Sequence, residues 1–232
     1  MRRPIKKNPV PGQIALLKPM FRTDQLTAVR GRILTAVPVN IGLAIVVTIV
    51  AIHGGRGLAG IAWFATSTAV NVLRITPSLV FLRKRSNENM SSIEWSIEQH
   101  LRLSWVTALA SGVVWSFIPI LCGGYTAGSS MFYLIVICGA TAGAVTNGAV
   151  YARMAICFIT PPLLSITGCL LLYGQNFNRD ALAATVVLYL AGLIHIARQS
   201  EQGFRELSLA KNEATSLATS LKEANQRSTE FG

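Results

Sequence analysis

Six long apolar segments without aspartate or glutamate constrain the fold of this chain more than any other feature. They run approximately over Ile33–Ile52, Leu58–Leu82, Leu101–Leu121, Met131–Val150, Met154–Tyr173 and Ala181–Ala197. A helix of about 20 mostly apolar residues crosses the roughly 30 Å hydrocarbon core of a bilayer. An uncompensated carboxylate in lipid is costly, so the confinement of Asp and Glu to the connections supports six spans. We therefore predict an all-α, polytopic membrane protein with six transmembrane helices.

The distribution of basic residues predicts the orientation of these spans. The chain has 21 Lys and Arg against 10 Asp and Glu, a net charge of +11, yet only 13% of its residues are charged and 51% are hydrophobic. This composition excludes a disordered chain, and it argues against a soluble nucleic-acid-binding protein. Basic residues gather before the first span, between the second and third, and after the sixth, whereas the opposite connections hold only Arg56 and Arg179. By the positive-inside rule, both termini are cytoplasmic.

The chain divides into three parts by composition. Residues 1–32 form a basic cytoplasmic or interfacial segment, residues 33–197 the six-helix bundle, and residues 198–232 a cytoplasmic tail. Apolar and small residues in the tail follow the a/d spacing of a coiled coil. They are Leu207, Ala210, Ala214, Leu217, Leu221 and Ala224. The pattern predicts a signalling helix that pairs in parallel with a second copy, with an interruption at Gly203. The alternative is a solvated amphipathic helix.

Small residues in the fourth span indicate close helix packing. Gly139 and Gly143 form one small-xxx-small pair, and Gly148 ends a second stripe with Ala140 and Ala144. Small residues at this spacing allow a neighbouring backbone to approach closely. A ligand path along the same residues, with Asn147 as its polar lining, is the sharper alternative.

Arg74 is the only charged residue deep in a predicted span. Its side chain either extends to the inner headgroups or contacts an anion or other ligand inside the bundle, with Asn71 one turn away. In the second case Asn71, Arg74 and Asn147 are the candidate ligand-binding residues.

The sequence supplies no candidate for catalysis or metal binding. HExxH, GxxxxGK[ST] and GxSxG motifs are absent, and the four cysteines form no CxxC pair. His100 and His195 form a conceivable haem pair, but no motif relates them. We predict a protein that is not an enzyme and that holds no metal or cofactor.

Several patterns together resemble a known family. They are the six spans, Arg74-x-x-Pro77, Gly112-Val-Val-Trp115 and the tail Lys211-Asn-Glu-Ala…Leu217…Leu221-Lys-Glu-Ala-Asn-Gln226. The chain resembles the MASE-like N-terminal sensor modules of bacterial GGDEF/EAL cyclic-di-GMP signalling proteins, and similar modules of membrane hybrid histidine kinases. The resemblance implies a homodimeric input domain in the bacterial inner membrane.

The expected function is accordingly signal transduction. A bundle that detects a membrane signal or an unknown small ligand would act through the paired tail on a C-terminal enzyme that these residues do not include. The alternative is a small transporter or channel subunit, with Asn40, Asn71, Arg74 and Asn147 along its path. Lipid and a second copy are the expected partners, and nucleic acid is not.

Overall fold

The computed structural model describes residues 11–84, 90–123, 130–173 and 179–230, and these residues are helical apart from short turns. The helices are α1 (Pro11–His53), α2 (Gly57–Lys84), α3 (Met90–Trp115), α4 (Ile118–Cys122), α5 (Ser130–Asn147), α6 (Ala152–Tyr173) and α7 (Arg179–Glu230). Except for the five-residue α4, each contains a segment long and apolar enough to cross a membrane. The prediction of an all-α chain with six such helices is confirmed.

The first and last helices extend well beyond their apolar segments. Helix α1 is 43 residues long and continues through Pro19, so residues 11–32 belong to the same helix as the first span. Helix α7 is 52 residues long and continues through Gly203, which contradicts the predicted interruption. At 1.5 Å per residue, α7 is roughly 78 Å long. More than half of it is tail.

A very close helix contact in the bundle joins α3 to α6. Pro161 and Pro162 lie inside α6, and a proline lacks the N–H that would bond the carbonyl four residues earlier. The carbonyls released in this way belong to Cys157 and Phe158. Gly112 of α3 lies directly against them. A Cβ atom built at this position would come within 3.0 Å of the Phe158 oxygen and would lie 3.1 Å from the Cys157 oxygen. The glycine thus allows the α3 backbone to cover these two carbonyls, which we call the proline defect of α6.

Aromatic packing extends this contact toward α2. The Trp115 ring is 1% exposed and lies edge-on to Trp63 and Phe158, with centroid separations of 5.4 and 6.5 Å. The Trp63 indole N–H donates a 2.8 Å hydrogen bond to the Val114 carbonyl. The Gly112–Trp115 sequence therefore joins α2, α3 and α6.

Helix α1 is tied to the turn between α5 and α6 at one end of the bundle. The Gln25 amide, which is 5% exposed, donates a 2.8 Å hydrogen bond to the Val150 carbonyl. The Arg32 guanidinium donates to the Thr146 carbonyl. We call this the basic end of the bundle, since it also carries Arg153 and the beginning of the tail.

Candidate functional site

A cavity between α1, α2, α5 and α6 contains most of the polar residues predicted as a ligand site. Arg74, Asn147 and Asn40 line it, and its volume is about 70 Å³. Small and apolar residues complete the wall, chiefly Ala36, Val39, Leu43, Gly139, Ala140, Gly143, Ala144, Met154, Ala155 and Phe158. The space is sufficient for a few water molecules, since one needs about 10–15 Å³. Val39 and Gly139 are exposed, so the cavity opens to the outside of the bundle beside them.

Gly139 and Gly143 line this cavity instead of supporting a tight helix contact. A Cβ atom added at either position would meet nothing within 4 Å. At Gly148, by contrast, it would lie 2.6 Å from the Ala155 Cβ. The small-residue pattern therefore has two roles in the structure. Gly148 lets the α5–α6 turn pack closely, and the other two glycines leave open space.

Arg74 is buried inside the bundle. The residue is 8% exposed, so its guanidinium lies inside the protein. The headgroup interpretation required a guanidinium on a lipid-facing surface. Within the described residues, its Nε atom is buried without a hydrogen-bond partner. A buried charge without a partner is strongly unfavourable in a low-dielectric interior.

Asn71 precedes Arg74 by one turn and is fully buried, with 0% exposure. Neither atom of its amide has a hydrogen-bond partner among the described residues, and the same is true of the Ser67 hydroxyl on the same face of α2. Asn71 does not line the cavity, so the structure brings Arg74 and Asn147 together and places Asn71 behind them. Transmembrane amides normally hydrogen-bond to neighbouring helices, which makes this face of α2 a polar stripe with unused bonding capacity.

A second, smaller cavity lies on the other side of Arg74. It has a volume of about 10 Å³ and is lined by Arg30, Arg74 and His100, together with Leu26, Leu103, Ser104 and Thr107. No carboxylate is among the described residues that line either cavity. Arg74 thus lies between two cavities, and the smaller of them also has Arg30 and His100 in its wall. The sequence did not reveal the proximity of Arg30 and His100, because it depends on how α1 and α3 pack against α2.

The beginning of the tail is docked to the bundle through described side chains. The Glu201 carboxylate accepts a 3.2 Å hydrogen bond from the Ala152 N–H at the start of α6, where a negative charge is favourable. The Ser208 hydroxyl donates a 3.2 Å hydrogen bond to the Asp24 carboxylate of α1, and Phe204 packs against the core. We call Glu201, Phe204 and Ser208 the docking face of α7.

The predicted dimer residues lie on a different face of α7 and are exposed. Leu207, Leu217 and Leu221 are 69%, 58% and 69% exposed, and Ala210, Ala214 and Ala224 are exposed as well. At 3.6 residues per turn, this stripe is rotated by roughly 140° from the docking face. Folding of one chain therefore leaves the stripe uncovered.

The described part of the basic end also contains histidines and a tyrosine. Among the described residues, no cluster of three or more His, Cys, Asp or Glu could hold a metal ion. His195 is exposed and His100 partly buried, and His100 lines the smaller cavity described above. Burial is the largest cause that raises the pKa of the Tyr151 phenol in the α5–α6 turn, outweighing the opposite effect of Arg153. The phenol is therefore neutral at physiological pH.

In comparisons with known proteins, no family model, curated sequence or solved structure matches this chain.

Proposed function

We propose that the chain is the membrane input domain of a signal-transduction protein. The bundle binds a ligand or responds to the membrane, and α7 carries the resulting change to an output enzyme such as a diguanylate cyclase, a phosphodiesterase or a histidine kinase. The observation that carries the proposal is the continuity of α7. One helix of 52 residues includes both the sixth apolar segment and the exposed tail.

This continuity gives the bundle direct control of the tail. A helix without a break transmits rotation and translation along its axis, whereas a flexible joint would absorb them. Within the bundle, Tyr189 of α7 donates a 3.0 Å hydrogen bond to the Cys138 carbonyl of α5, the residue next to Gly139. A change in the cavity wall therefore has a short route to α7, and small helix shifts of 1–2 Å are a common means of switching.

The exposed stripe supports pairing between two tails. It contains three leucines at a/d positions, and a coiled coil is the usual way for such residues to be covered. The other three a/d positions are alanines, which make the pair weak because small side chains bury little apolar area. A weak pair suits a helix that must change its register or separation. We propose a parallel homodimer in the bacterial inner membrane, with the basic end and both termini in the cytoplasm.

Cysteine cross-linking in membranes tests this proposal. The four native cysteines are replaced by alanine, and Leu217→Cys or Leu221→Cys is introduced at an a/d position. Thr219→Cys is the matched control, because it lies on the same exposed turns but at an outward-facing heptad position. We expect oxidation to cross-link the two leucine variants into dimers and to leave the Thr219 variant monomeric.

Equal cross-linking at all three positions, or none at Leu217 and Leu221, would show that the tails do not pair through this stripe. Coupling to the bundle is tested in the same background by adding Arg74→Gln. We expect the rate of cross-linking at Leu217→Cys to change. An unchanged rate would mean that the cavity does not control the tail.

A small transporter is the second candidate, and the polar cavity around Arg74 favours it. The groove near the opposite end of α2 and α3, however, is lined by Trp63, Phe117 and Ile120 and by other residues that are apolar except for Thr66. This distribution suits a binding site better than a polar path through the bundle. Flux of a bound solute in proteoliposomes, lost in Arg74→Gln, would favour transport instead.

A further inference from the structure

We infer that the cavity around Arg74 binds a small anionic group, a carboxylate or a phosphate. The inference rests on the proposed function and identifies the chemical class of its ligand. Three observations carry it: a buried guanidinium that has no carboxylate partner in the described part of the chain, a cavity beside that guanidinium, and amide side chains on the cavity wall.

The charge of Arg74 requires an anion. Arginine stays protonated in proteins, and α2 places this one at 8% exposure with no hydrogen bond to its Nε in the described part of the chain. Among the residues that the structure describes, no carboxylate lines the cavities on either side of it. Charged residues within membrane bundles normally pair with one another or mark a ligand or ion pathway. The partner of Arg74 is therefore supplied by a ligand.

The cavity wall suits oxygen atoms of an anion. Guanidinium N–H groups form paired hydrogen bonds with carboxylate and phosphate oxygens, and the amides of Asn40 and Asn147 line the same space. Both amides are partly buried and can donate to the same group. Gly139 and Gly143 leave room beside them, so the remainder of a larger ligand can leave the cavity along α5.

The size of the site restricts what it holds. About 70 Å³ accommodates a group of a few heavy atoms, such as a carboxylate or a phosphate, and excludes a bulky ring. Arg30 lines the adjoining cavity together with Arg74. Such a group belongs either to a free solute or to an anionic lipid headgroup.

Thermal unfolding of the purified protein in phosphatidylcholine nanodiscs tests the free solute, with inorganic phosphate and acetate as probes and sodium chloride at matched ionic strength as reference. We expect a saturable rise in Tm for the wild type. Loss of one charge-assisted pair in Arg74→Gln should weaken binding about tenfold or more. Arg74→Lys keeps the charge but loses the planar arrangement of N–H donors, so its affinity for phosphate should lie between those of the wild type and Arg74→Gln.

Arg198→Gln is the matched control, because it removes the same charge from an exposed position on α7. It should respond to phosphate as the wild type does. Comparison between variants also removes the general stabilisation that phosphate gives by exclusion from protein surfaces. A second readout is the labelling of Ala144→Cys by a maleimide in the cysteine-free protein, which bound phosphate should slow, while Thr219→Cys on the tail should be labelled at an unchanged rate.

Nanodiscs that also contain phosphatidylglycerol distinguish the two sources. If phosphate or acetate raises the Tm of the wild type but not of Arg74→Gln, the ligand is a free anion. If the Tm rises only in nanodiscs with phosphatidylglycerol, and Arg74→Gln loses this rise, the ligand is a lipid headgroup. Equal responses of wild type and Arg74→Gln under all conditions would overturn the site. Cross-linking at Leu217→Cys is measured separately. Absence of cross-linking would therefore disprove the tail dimer without affecting the anion site, and absence of anion binding would not affect the tail dimer.

Discussion

Replacement of Gly112 by alanine should destabilise the bundle more than its single added methyl group suggests. The new Cβ would lie within 3.0 Å of the Phe158 oxygen and 3.1 Å from both the Phe158 carbonyl carbon and the Cys157 oxygen. Carbon–oxygen contacts normally begin at about 3.3 Å. All three neighbours are backbone atoms, so they cannot move away by a change of rotamer. Helices α3 and α6 must separate instead.

The cost follows from the contacts that this separation weakens. Excess volume in a packed interior typically costs about 1–3 kcal/mol, and a gap of 0.5–1 Å already loses a quarter to a half of each dispersion contact. The contacts at risk include Trp115 against Phe158. Separation also uncovers the two carbonyls that Pro161 and Pro162 leave without intrahelical donors. We therefore expect a loss of about 3 kcal/mol, at the upper end of that range.

Reversible unfolding in mixed micelles of increasing SDS content measures this loss. Gly192→Ala is the control, since Gly192 is also helical but has nothing within 4 Å of the added Cβ. It should unfold at the wild-type SDS fraction or later, because alanine favours helix over glycine by about 0.5–1 kcal/mol. If both variants unfold at the same SDS fraction, the argument that Gly112 covers the proline defect is refuted.

Three other substitutions test the remaining contacts. Gln25→Ala leaves the buried Val150 carbonyl without its donor and should cost about 1–3 kcal/mol in the same SDS titration; a change within error would contradict the tie between α1 and the α5–α6 turn. Trp63→Phe removes an indole hydrogen bond and should cost about 1 kcal/mol, whereas an unchanged midpoint would show that this bond contributes nothing. Gly143→Leu fills open space, so thermal unfolding should show a folded protein whose Tm no longer responds to phosphate. Gly192→Leu should keep the rise in Tm with phosphate. If Gly143→Leu and Gly192→Leu respond equally to phosphate, the cavity is not the anion-binding site.

Part of the candidate site was predictable from the sequence. A charged or amide residue in an apolar span is costly wherever it lies, so Arg74, Asn71 and Asn147 could be selected without coordinates. Their arrangement could not. Whether Arg74 extends to the headgroups or into the bundle depends on which neighbours surround α2, and the structure places it beside Asn147 and away from the surface.

The small residues show the same division. Gly139 with Gly143 and Ala144 with Gly148 both have the small-xxx-small spacing. Of the three glycines, however, only Gly148 has a neighbour within contact distance of its Cβ position. In the sequence Gly112 belongs only to a pattern that resembles a family, because its structural role depends on the packing of α3 against the carbonyls of α6. Spacing indicates that a close approach is permitted, and the packing of the other helix decides whether it occurs.

The sequence by itself determined the helical class, the number of apolar spans and the amphipathic stripe on the tail. These properties depend on hydrophobicity and on periodicity within one segment, because backbone groups in lipid must bond within their own helix. The tertiary structure alone decided that Arg74 faces a cavity, that Gly112 covers a proline defect and that the docking face and the exposed stripe lie on different sides of α7. Each of these depends on contacts between residues far apart in the chain, and such contacts follow from how the helices pack together.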